Sequence, residues 1–406
     1  MRISLLLERE PFGQILEETL PELMLALTGR RHQVRWLGSP GTPRPDEQTW
    51  LCNPRLNVIF RPGTRSAALA PVVREFARSP RWWRRPFQRA YVAAATRPPT
   101  AAWLAPIRIG VSPALENADA VVILGGNHRL RVLDAREGVT HVIAKAGADP
   151  RFLRAELALR AAAPDLPIPR LVRVGSGGAW FTETLVSGTP LNRVAERARR
   201  TRALGVAHGT LERLARRTAA DVAAPDYVGS LVAGLEREVA TAPLLAACRG
   251  TVERAARALA ELALRLPGAR SVTTAETHGD FQDGNVLVDG ETVWMIDWEY
   301  TGRRQIGFDM LVHGLAARFP AGLAARVGAA AAGRGGAALD AIHTWPGLAW
   351  DTTDARRRAL AIFLLEELSV RVRENSGPRL RVLTRATRTF LDEFQAAAGR
   401  LDSLAA

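Results

Sequence analysis

Lysine is almost absent from this chain of 406 residues, because Lys145 is the single lysine among 55 basic residues. Cysteine is scarce as well, since Cys52 and Cys248 are the only two and fall in no metal-ligand spacing. The sequence therefore indicates neither a disulfide framework nor a zinc site, and it fits a reducing compartment. No uncharged apolar run approaches the roughly 18 residues that a membrane-spanning helix needs, so we expect no spanning segment.

The first ten residues contain only a short apolar stretch. This stretch, Ile3 to Leu7, ends at Glu8 and Arg9. A signal peptide needs a longer apolar core, so the sequence predicts no obvious export signal. A cytoplasmic protein is the expectation that follows.

Positive charge is abundant and unevenly spread. The net charge is +14, and residues 1–110 hold 17 Arg against 8 Asp and Glu. Residues 76–115 contain no acidic residue and interleave arginines with Trp82, Trp83, Phe87 and Tyr91. Arg beside Trp is typical of a segment on an anionic membrane surface, which would place the protein at the inner face of the membrane. The alternatives are a tryptophan pair packed inward with solvated arginines, and nucleic-acid binding, which rests on charge alone.

The middle of the chain has the pattern of a small antiparallel sheet with one inserted helix. Residues 151–163 have helical spacing, whereas five short segments have strand character, at 118–124, 130–134, 139–146, 171–174 and 180–185. Beyond residue 190 the sequence pattern becomes helical over long stretches, at about 191–222, 226–243 and 246–266. A β-rich part followed by a helical part predicts an α+β fold.

The first 110 residues have a mixed pattern. Residues 2–7 and 56–60 are predicted as strands, and residues 12–27 as an amphipathic helix. We therefore divide the chain into an N-terminal basic α/β extension of unknown role at 1–110, a sheet domain at 111–190 and a helical domain at 191–406.

One segment carries the residues of phosphoryl-transfer chemistry. Asp280 and Asn285 stand five apart in the run HGDFQDGN, and Asp297 ends the strand that follows. A carboxylate beside the attacking hydroxyl can accept its proton, while an amide oxygen and a second carboxylate can hold Mg²⁺. Each aspartate alone would be an ordinary turn or strand-end residue, but the three occur in the order that the mechanism needs.

The run HGDFQDGN, together with IDWEY at 296–300 and GFD at 307–309, resembles the aminoglycoside phosphotransferase and choline kinase family. The resemblance extends over about 118–400 and implies a protein kinase-like fold with a small β-rich lobe and a larger helical lobe. It implies Asp280 as catalytic base, with Asn285 and Asp297 as ligands of Mg²⁺ beside ATP. His278 and Asp309 are predicted to brace the loop.

Lys145 lies where this resemblance requires a lysine. The sequence VIAK at 142–145 resembles the kinase strand whose lysine contacts the nucleotide phosphates. Glu156, eleven residues later, is its predicted ion-pair partner, although a solvated helix charge is the alternative. Gly125 and Gly126 are predicted to form the phosphate-covering turn. Backbone groups of Glu183 and Leu185 are predicted to bond the adenine edge.

We therefore predict an ATP-dependent phosphotransferase that acts on a hydroxyl of a small molecule. A sugar, a glycan or a lipid head group is the preferred acceptor, because a basic chain suits a polycationic aminoglycoside less well. One alternative is a choline or ethanolamine kinase-like enzyme, with Trp345 and Trp350 as an aromatic cage. The other is a catalytically silent kinase-like binding or scaffold protein.

Overall fold

The computed structural model describes residues 2–39, 41–76, 81–268, 270–335, 339 and 341–404. The chain divides into two units. The first contains Met1–Arg154 and Pro169–Ser187, and the second contains Ala155–Ile168 and Gly188–Ala406. Among the described residues, no helix is long and apolar enough to cross a membrane.

Nine antiparallel strands form one sheet in the first unit. They are β1 (Gln33–Gly38), β2 (Gln48–Asn53), β3 (Val58–Phe60), β4 (Ile107–Ser112), β5 (Val121–Gly125), β6 (Arg129–Asp134), β7 (Val139–Ala144), β8 (Leu171–Val174) and β9 (Trp180–Thr184). Their order across the sheet is β1-β4-β2-β3-β5-β6-β7-β9-β8. The predicted strands of residues 118–185 are confirmed, with small shifts at their ends.

Helices cover both faces of this sheet, which explains why β5 is apolar throughout. Ile123 faces a cluster with α1 (Ile3–Arg9) and α2 (Phe12–Thr28). Val122 points the other way, into a cluster with α3 (Ser66–Phe76), α4 (Arg84–Thr96) and α5 (Ala101–Leu104). Successive side chains of a strand point to opposite faces, so a strand buried on both sides needs a continuous apolar run.

The N-terminal residues differ from the prediction in one element. The strand predicted at residues 2–7 is wrong, because this segment is helix α1. Ile3, Leu6 and Arg9 are buried whereas Leu5 is exposed, so burial follows the three-residue spacing of a helix face. The predicted helix at residues 12–27 is confirmed as α2.

Residues 1–110 extend the sheet of the first unit. The predicted boundary at residue 110 falls inside β4, and strands from both sides of it belong to the same sheet. The connection is the antiparallel pair of β3 and β5, in which Val58 lies opposite Leu124 and Phe60 opposite Val122.

The second unit is mainly helical and includes two three-stranded sheets. Its helices are α7 (Arg197–Thr218), α8 (Ala224–Thr241), α9 (Arg249–Arg265), α10 (Phe308–Gly314), α11 (Leu323–Ala331), α12 (Thr353–Glu374) and α13 (Arg385–Ser403), while α6 (Arg151–Ala162) begins in the first unit. Its strands are β10 (Thr189–Pro190), β11 (Ala220–Ala223), β12 (Ser271–Thr277), β13 (Val286–Asp289), β14 (Thr292–Met295) and β15 (Gly302–Gln305), in the orders β10-β13-β14 and β11-β12-β15.

Helix α12 lies at the centre of the second unit. Its residues 359–368 are all buried, so it has no polar face in this stretch. The carboxylate of Glu366 is among them, and it accepts hydrogen bonds from the Tyr227 hydroxyl and from the backbone N–H of Gln305. Burial raises the pKa of Glu366 to about 7, against the opposing effect of these hydrogen bonds. Glu366 is therefore a carboxylic acid that ionises near neutral pH in the folded state.

This shift predicts a pH dependence of stability. The folded-state pKa of Glu366 lies above its unfolded value. The contribution of Glu366 to the unfolding free energy is therefore complete at low pH and is lost as pH rises through about 7. The Glu366→Gln variant should gain on the order of 3 kcal/mol of unfolding free energy relative to wild type between about pH 5 and pH 8. Chemical denaturation across this range measures the difference, with the exposed Glu261→Gln as control. Parallel pH curves for wild type and Glu366→Gln would contradict the assignment.

Candidate active site

The predicted catalytic loop is held by its own side chains. Asn285 Nδ2 donates to the backbone oxygen of Asp280 at 2.9 Å and to its Oδ2 at 3.0 Å. Gln282 Nε2 donates to the same Oδ2 at 3.0 Å. The two residues that the sequence places five apart are thus in direct contact, and the Asp280 carboxylate has a fixed orientation.

His278 and Asp309 brace this loop, as predicted. The Asp309 carboxylate accepts the backbone N–H groups of His278 at 2.7 Å and Gly279 at 2.8 Å. Burial raises the pKa of Asp309, and these two hydrogen bonds oppose that effect. Gly279 has φ 80°, and a Cβ there would lie 2.0 Å from Tyr300 O, so this position requires glycine.

Asp297 is joined to the same loop through the hairpin of β13 and β14. The backbone N–H of Ile296 donates to Asn285 O at 2.9 Å, and the Ile296 carbonyl lies 3.0 Å from His278 Nε2. Asp297 itself has φ 70° and ψ 49°, a left-handed conformation that a residue other than glycine rarely adopts. Such strain persists where the surroundings enforce it, as they do at functional sites.

The side chains of Asn285 and Asp297 suit a magnesium ion. The amide nitrogen of Asn285 faces Asp280, which leaves its oxygen as the atom able to bind a cation. An amide oxygen and a carboxylate are hard donors, and Mg²⁺ commonly takes one or two protein ligands with phosphates and water. No group of three or more His, Cys, Asp and Glu side chains that could hold a metal occurs within the described ranges.

Arg318 is a part of this site that the sequence did not predict. It follows α10, and its guanidinium donates to Asp280 Oδ1, to the Gly279 carbonyl and to Glu367 Oε1. Glu367 also accepts from Arg371, at 2.8 Å to Nε and 2.5 Å to Nη2. Burial alone would lower the pKa of Arg371, but the carboxylates of Glu367 and Glu374 outweigh it and raise that pKa. A buried chain of alternating charges therefore ends on the predicted catalytic base.

Lys145 has a neighbour that the sequence did not predict. It directly follows β7, and its Nζ donates to Glu10 Oε1 at 2.5 Å, with only 3% and 5% of the two side chains exposed. Glu10 directly follows α1, and Arg9, the last residue of that helix, donates to Asn127 Oδ1 in the β5–β6 turn at 2.8 Å. The N-terminal helix therefore supplies contacts to both the lysine and this turn.

The other predicted nucleotide-binding residues have structural partners of their own. Glu156 Oε1 accepts from Arg160 at 2.6 Å, and the pairing of Glu156 with Lys145 stays a prediction. A Cβ at Gly125 would meet Ile3 and Leu6 of α1 at 2.8 and 2.9 Å, and one at Gly126 would meet Arg129 O at 2.5 Å. Close packing accounts for both glycines, and their contact with phosphates stays a prediction.

The adenine contacts of Glu183 and Leu185 stay a prediction, and their backbone groups have partners within the first unit. The backbone N–H of Leu185 donates to Gly138 O at 2.8 Å, so this donor is already used within the first unit. Glu183 pairs with Thr140 of β7 and with Leu171 of β8. An adenine would have to use other backbone groups of this segment or displace the Gly138 bond.

Trp345 and Trp350 do not form an open cage. Both are buried in the main cluster of the second unit, and Trp345 Nε1 donates to Ile306 O at 2.8 Å. Recognition of a quaternary ammonium needs aromatic faces that a ligand can reach. These two side chains are core residues.

Comparison with known proteins identifies the family of the chain. The model of the phosphotransferase enzyme family, APH, matches residues 143–345, half of the chain. The α+β, kinase-like two-lobed fold predicted from the sequence is thereby confirmed. No curated protein matches the chain significantly.

Solved structures that match are distant. A choline/ethanolamine kinase family protein from Mesorhizobium loti is 15% identical over 78% of this chain and 94% of its own, with a TM-score of 0.41. Aminoglycoside phosphotransferase APH(4)-Ia is 13% identical over 70% and 92%, with a TM-score of 0.41. A glucosamine kinase is 15% identical over 68% and 75%, with a TM-score of 0.37. Likenesses this distant identify no substrate.

Proposed function

Because the chain belongs to the phosphotransferase enzyme family, we propose that it transfers the γ-phosphate of ATP to a hydroxyl of a small molecule. The observation that carries the proposal is the joined geometry of the loop: Asn285 holds Asp280 directly and is linked through its backbone to the residue before Asp297. The left-handed backbone of Asp297 next to this loop adds to the support.

In the proposed reaction, Asp280 orients the acceptor hydroxyl and takes its proton. The acceptor oxygen forms a bond to the γ-phosphorus, the bond from that phosphorus to the β–γ bridging oxygen breaks, and ADP leaves. Asn285 and Asp297 would hold Mg²⁺, which when bound neutralises phosphate charge. Lys145 would place a compact ammonium on the phosphate oxygens.

The class of acceptor follows from the charge of the chain and not from Arg318, because Asp280 and Glu367 neutralise that guanidinium locally. The net charge of +14 suits a polycationic acceptor less well than a neutral or anionic hydroxyl compound. We therefore prefer a sugar, a glycan or a lipid head group, and the buried Trp345 and Trp350 give no support to a choline acceptor.

The test is release of ADP by the purified full chain with ATP and Mg²⁺. Sugars, amino alcohols, nucleosides, choline and kanamycin serve as acceptors, and the Asp280→Ala variant controls for contaminating ATPases. We expect Mg²⁺-dependent release stimulated by a polyhydroxy compound. No release with any acceptor, together with no binding of Mg²⁺–ATP, would indicate a catalytically silent member of the family.

Lys145→Arg tests the role of the single lysine, because it keeps the charge and changes shape and reach. The pair with Glu10 is buried, so the surroundings would have to repack around a larger planar guanidinium. We expect phosphotransfer activity to fall about tenfold or more. Initial rates at saturating acceptor give the comparison, and circular dichroism melting shows whether the variant is folded. Activity of the folded variant within about a factor of two of wild type would show that Lys145 is incidental.

A further inference from the structure

Exposed aromatic side chains are concentrated in one short stretch of the first unit. Five Phe, Tyr and Trp side chains are exposed within the part of the chain that the structure describes, and four of them lie between residues 82 and 103. Trp82 is 77% exposed, Trp83 48%, Phe87 71% and Trp103 87%. Soluble proteins rarely group large rings on the surface without a binding partner.

Charge of one sign surrounds these rings. No Asp or Glu occurs between residues 76 and 115. The arginines that accompany the rings are exposed as well, and the guanidinium of Arg84 lies 4.9 Å from the ring centre of Trp83. We call this set the Arg–Trp surface and define it by Arg81, Trp82, Trp83, Arg84, Arg85, Phe87, Arg89, Arg97 and Trp103.

Helices α4 and α5, which contain most of the Arg–Trp surface, are packed against the sheet of the first unit. Val92 and Ala95 of α4 are buried against the sheet, and so is Ala101 of α5. Asn53, which ends β2 and is fully buried, donates from Nδ2 to the Tyr91 hydroxyl at 3.3 Å and to Leu104 O at 3.2 Å. Both helices are thereby fixed to the same strand, so their exposed rings are presented by an ordered scaffold.

We propose that the Arg–Trp surface docks the protein onto an anionic membrane. Tryptophan rings favour the head-group region, because they are apolar with one polar edge, and guanidinium groups bind lipid phosphates there. A segment that carries several arginines and no acidic residue in its sequence complements anionic lipid. Single-stranded nucleic acid is the competing ligand, because its bases stack on aromatic rings and its phosphates pair with arginines, and the RNA measurement below separates it from lipid.

Co-sedimentation of the full chain with vesicles tests the proposal. Vesicles of phosphatidylcholine with about 30% phosphatidylglycerol supply the anionic surface, and pure phosphatidylcholine vesicles are the neutral control. We expect binding to the anionic vesicles at about 20 mM NaCl that falls at least about fivefold at 500 mM, because salt screens exposed charges. No binding at low salt, or equal binding to both vesicles, would overturn the proposal.

Paired variants locate the binding surface. Trp82→Ala with Trp103→Ala should weaken vesicle binding at least about threefold, whereas Phe319→Ala, which removes a ring that is 69% exposed elsewhere, should not. All of these rings are exposed, so their removal leaves folding intact.

A second pair of variants separates a local surface from diffuse charge. Arg84→Gln, Arg85→Gln and Arg89→Gln together should reduce binding at least about fivefold. The triple change Arg381→Gln, Arg385→Gln and Arg388→Gln removes the same charge from exposed positions near and within α13 and should have little effect. Equal losses in the two triple variants would refute a local docking surface. Binding of single-stranded RNA with the same residue dependence, without vesicle binding, would reassign the surface to nucleic acid.

Discussion

Replacing Asp280 by alanine is expected to lower the kcat of phosphotransfer by about 10²- to 10⁴-fold, the range that a general base contributes. The affinity for Mg²⁺–ATP should remain within about threefold of wild type, because the proposed contact of Asp280 is with the acceptor hydroxyl. Arg318 keeps Glu367 and the Gly279 carbonyl as partners in this variant, so the loop has reason to stay in place. Steady-state kinetics and nucleotide titration measure the two quantities.

Asp283 provides the matched control for this experiment. It is a carboxylate of the same loop, and its Oδ1 lies 3.0 Å from His313 Nε2. This hydrogen bond lowers the pKa of Asp283, so the group is ionised without being held by Arg318. Asp283→Ala should keep most of the activity. A large loss of activity in Asp283→Ala with near-normal turnover in Asp280→Ala would show that Asp283, and not Asp280, is the base.

Arg318→Gln is expected to reduce kcat by about 10- to 100-fold with little change in the KM for nucleotide, because Asp280 loses the group that fixes its Oδ1. The variant should also lose about 3 kcal/mol of unfolding free energy, since one partner of a buried charge network is removed. Arg318→Lys should recover part of the stability but less of the rate, because an ammonium cannot reach three acceptors in one plane. Arg318 would thus be a positioning residue.

A second buried arginine separates positioning from stability. Arg357 of α12 donates to Leu401 O at 2.7 Å and to Asp354 at 2.9 Å, and it does not contact the loop. Arg357→Gln should destabilise the protein to a similar degree yet keep the wild-type kcat below its melting temperature. Similar kcat losses in Arg318→Gln and Arg357→Gln would mean that Arg318 acts through stability alone.

The geometry of the proposed catalytic loop could be predicted from the sequence because its contacts are local. Fewer than twenty consecutive residues contain Asp280, Asn285 and the β13–β14 hairpin. The turn residues between the two strands identify the hairpin in the sequence. Arg318 could not be found in this way, since it reaches Asp280 across 38 residues through the turn after α10. The contact of Glu10 with Lys145 spans 135 residues and depends on where α1 packs.

Helix α1 shows why short apolar segments mislead. A short continuous apolar run such as residues 5–7 is compatible with a fully buried strand and with a buried helix. The tertiary environment decides, because Ile3 and Leu6 fit against Gly125, where a side chain would leave no space. The error about α1 and the failure to predict Glu10 therefore have one origin, the packing of this helix on β5.

The single lysine, buried in its pair with Glu10, makes the protein suited to amine labelling at one side chain. Apart from its amino terminus, the protein has one primary amine, and that amine is an ion-paired ammonium with 3% of its side chain exposed. An acylating reagent attacks only a free, deprotonated amine that solvent can reach. The rate of covalent labelling of Lys145 would thus report how often its contact with Glu10 opens, because no other basic side chain of the protein is a primary amine.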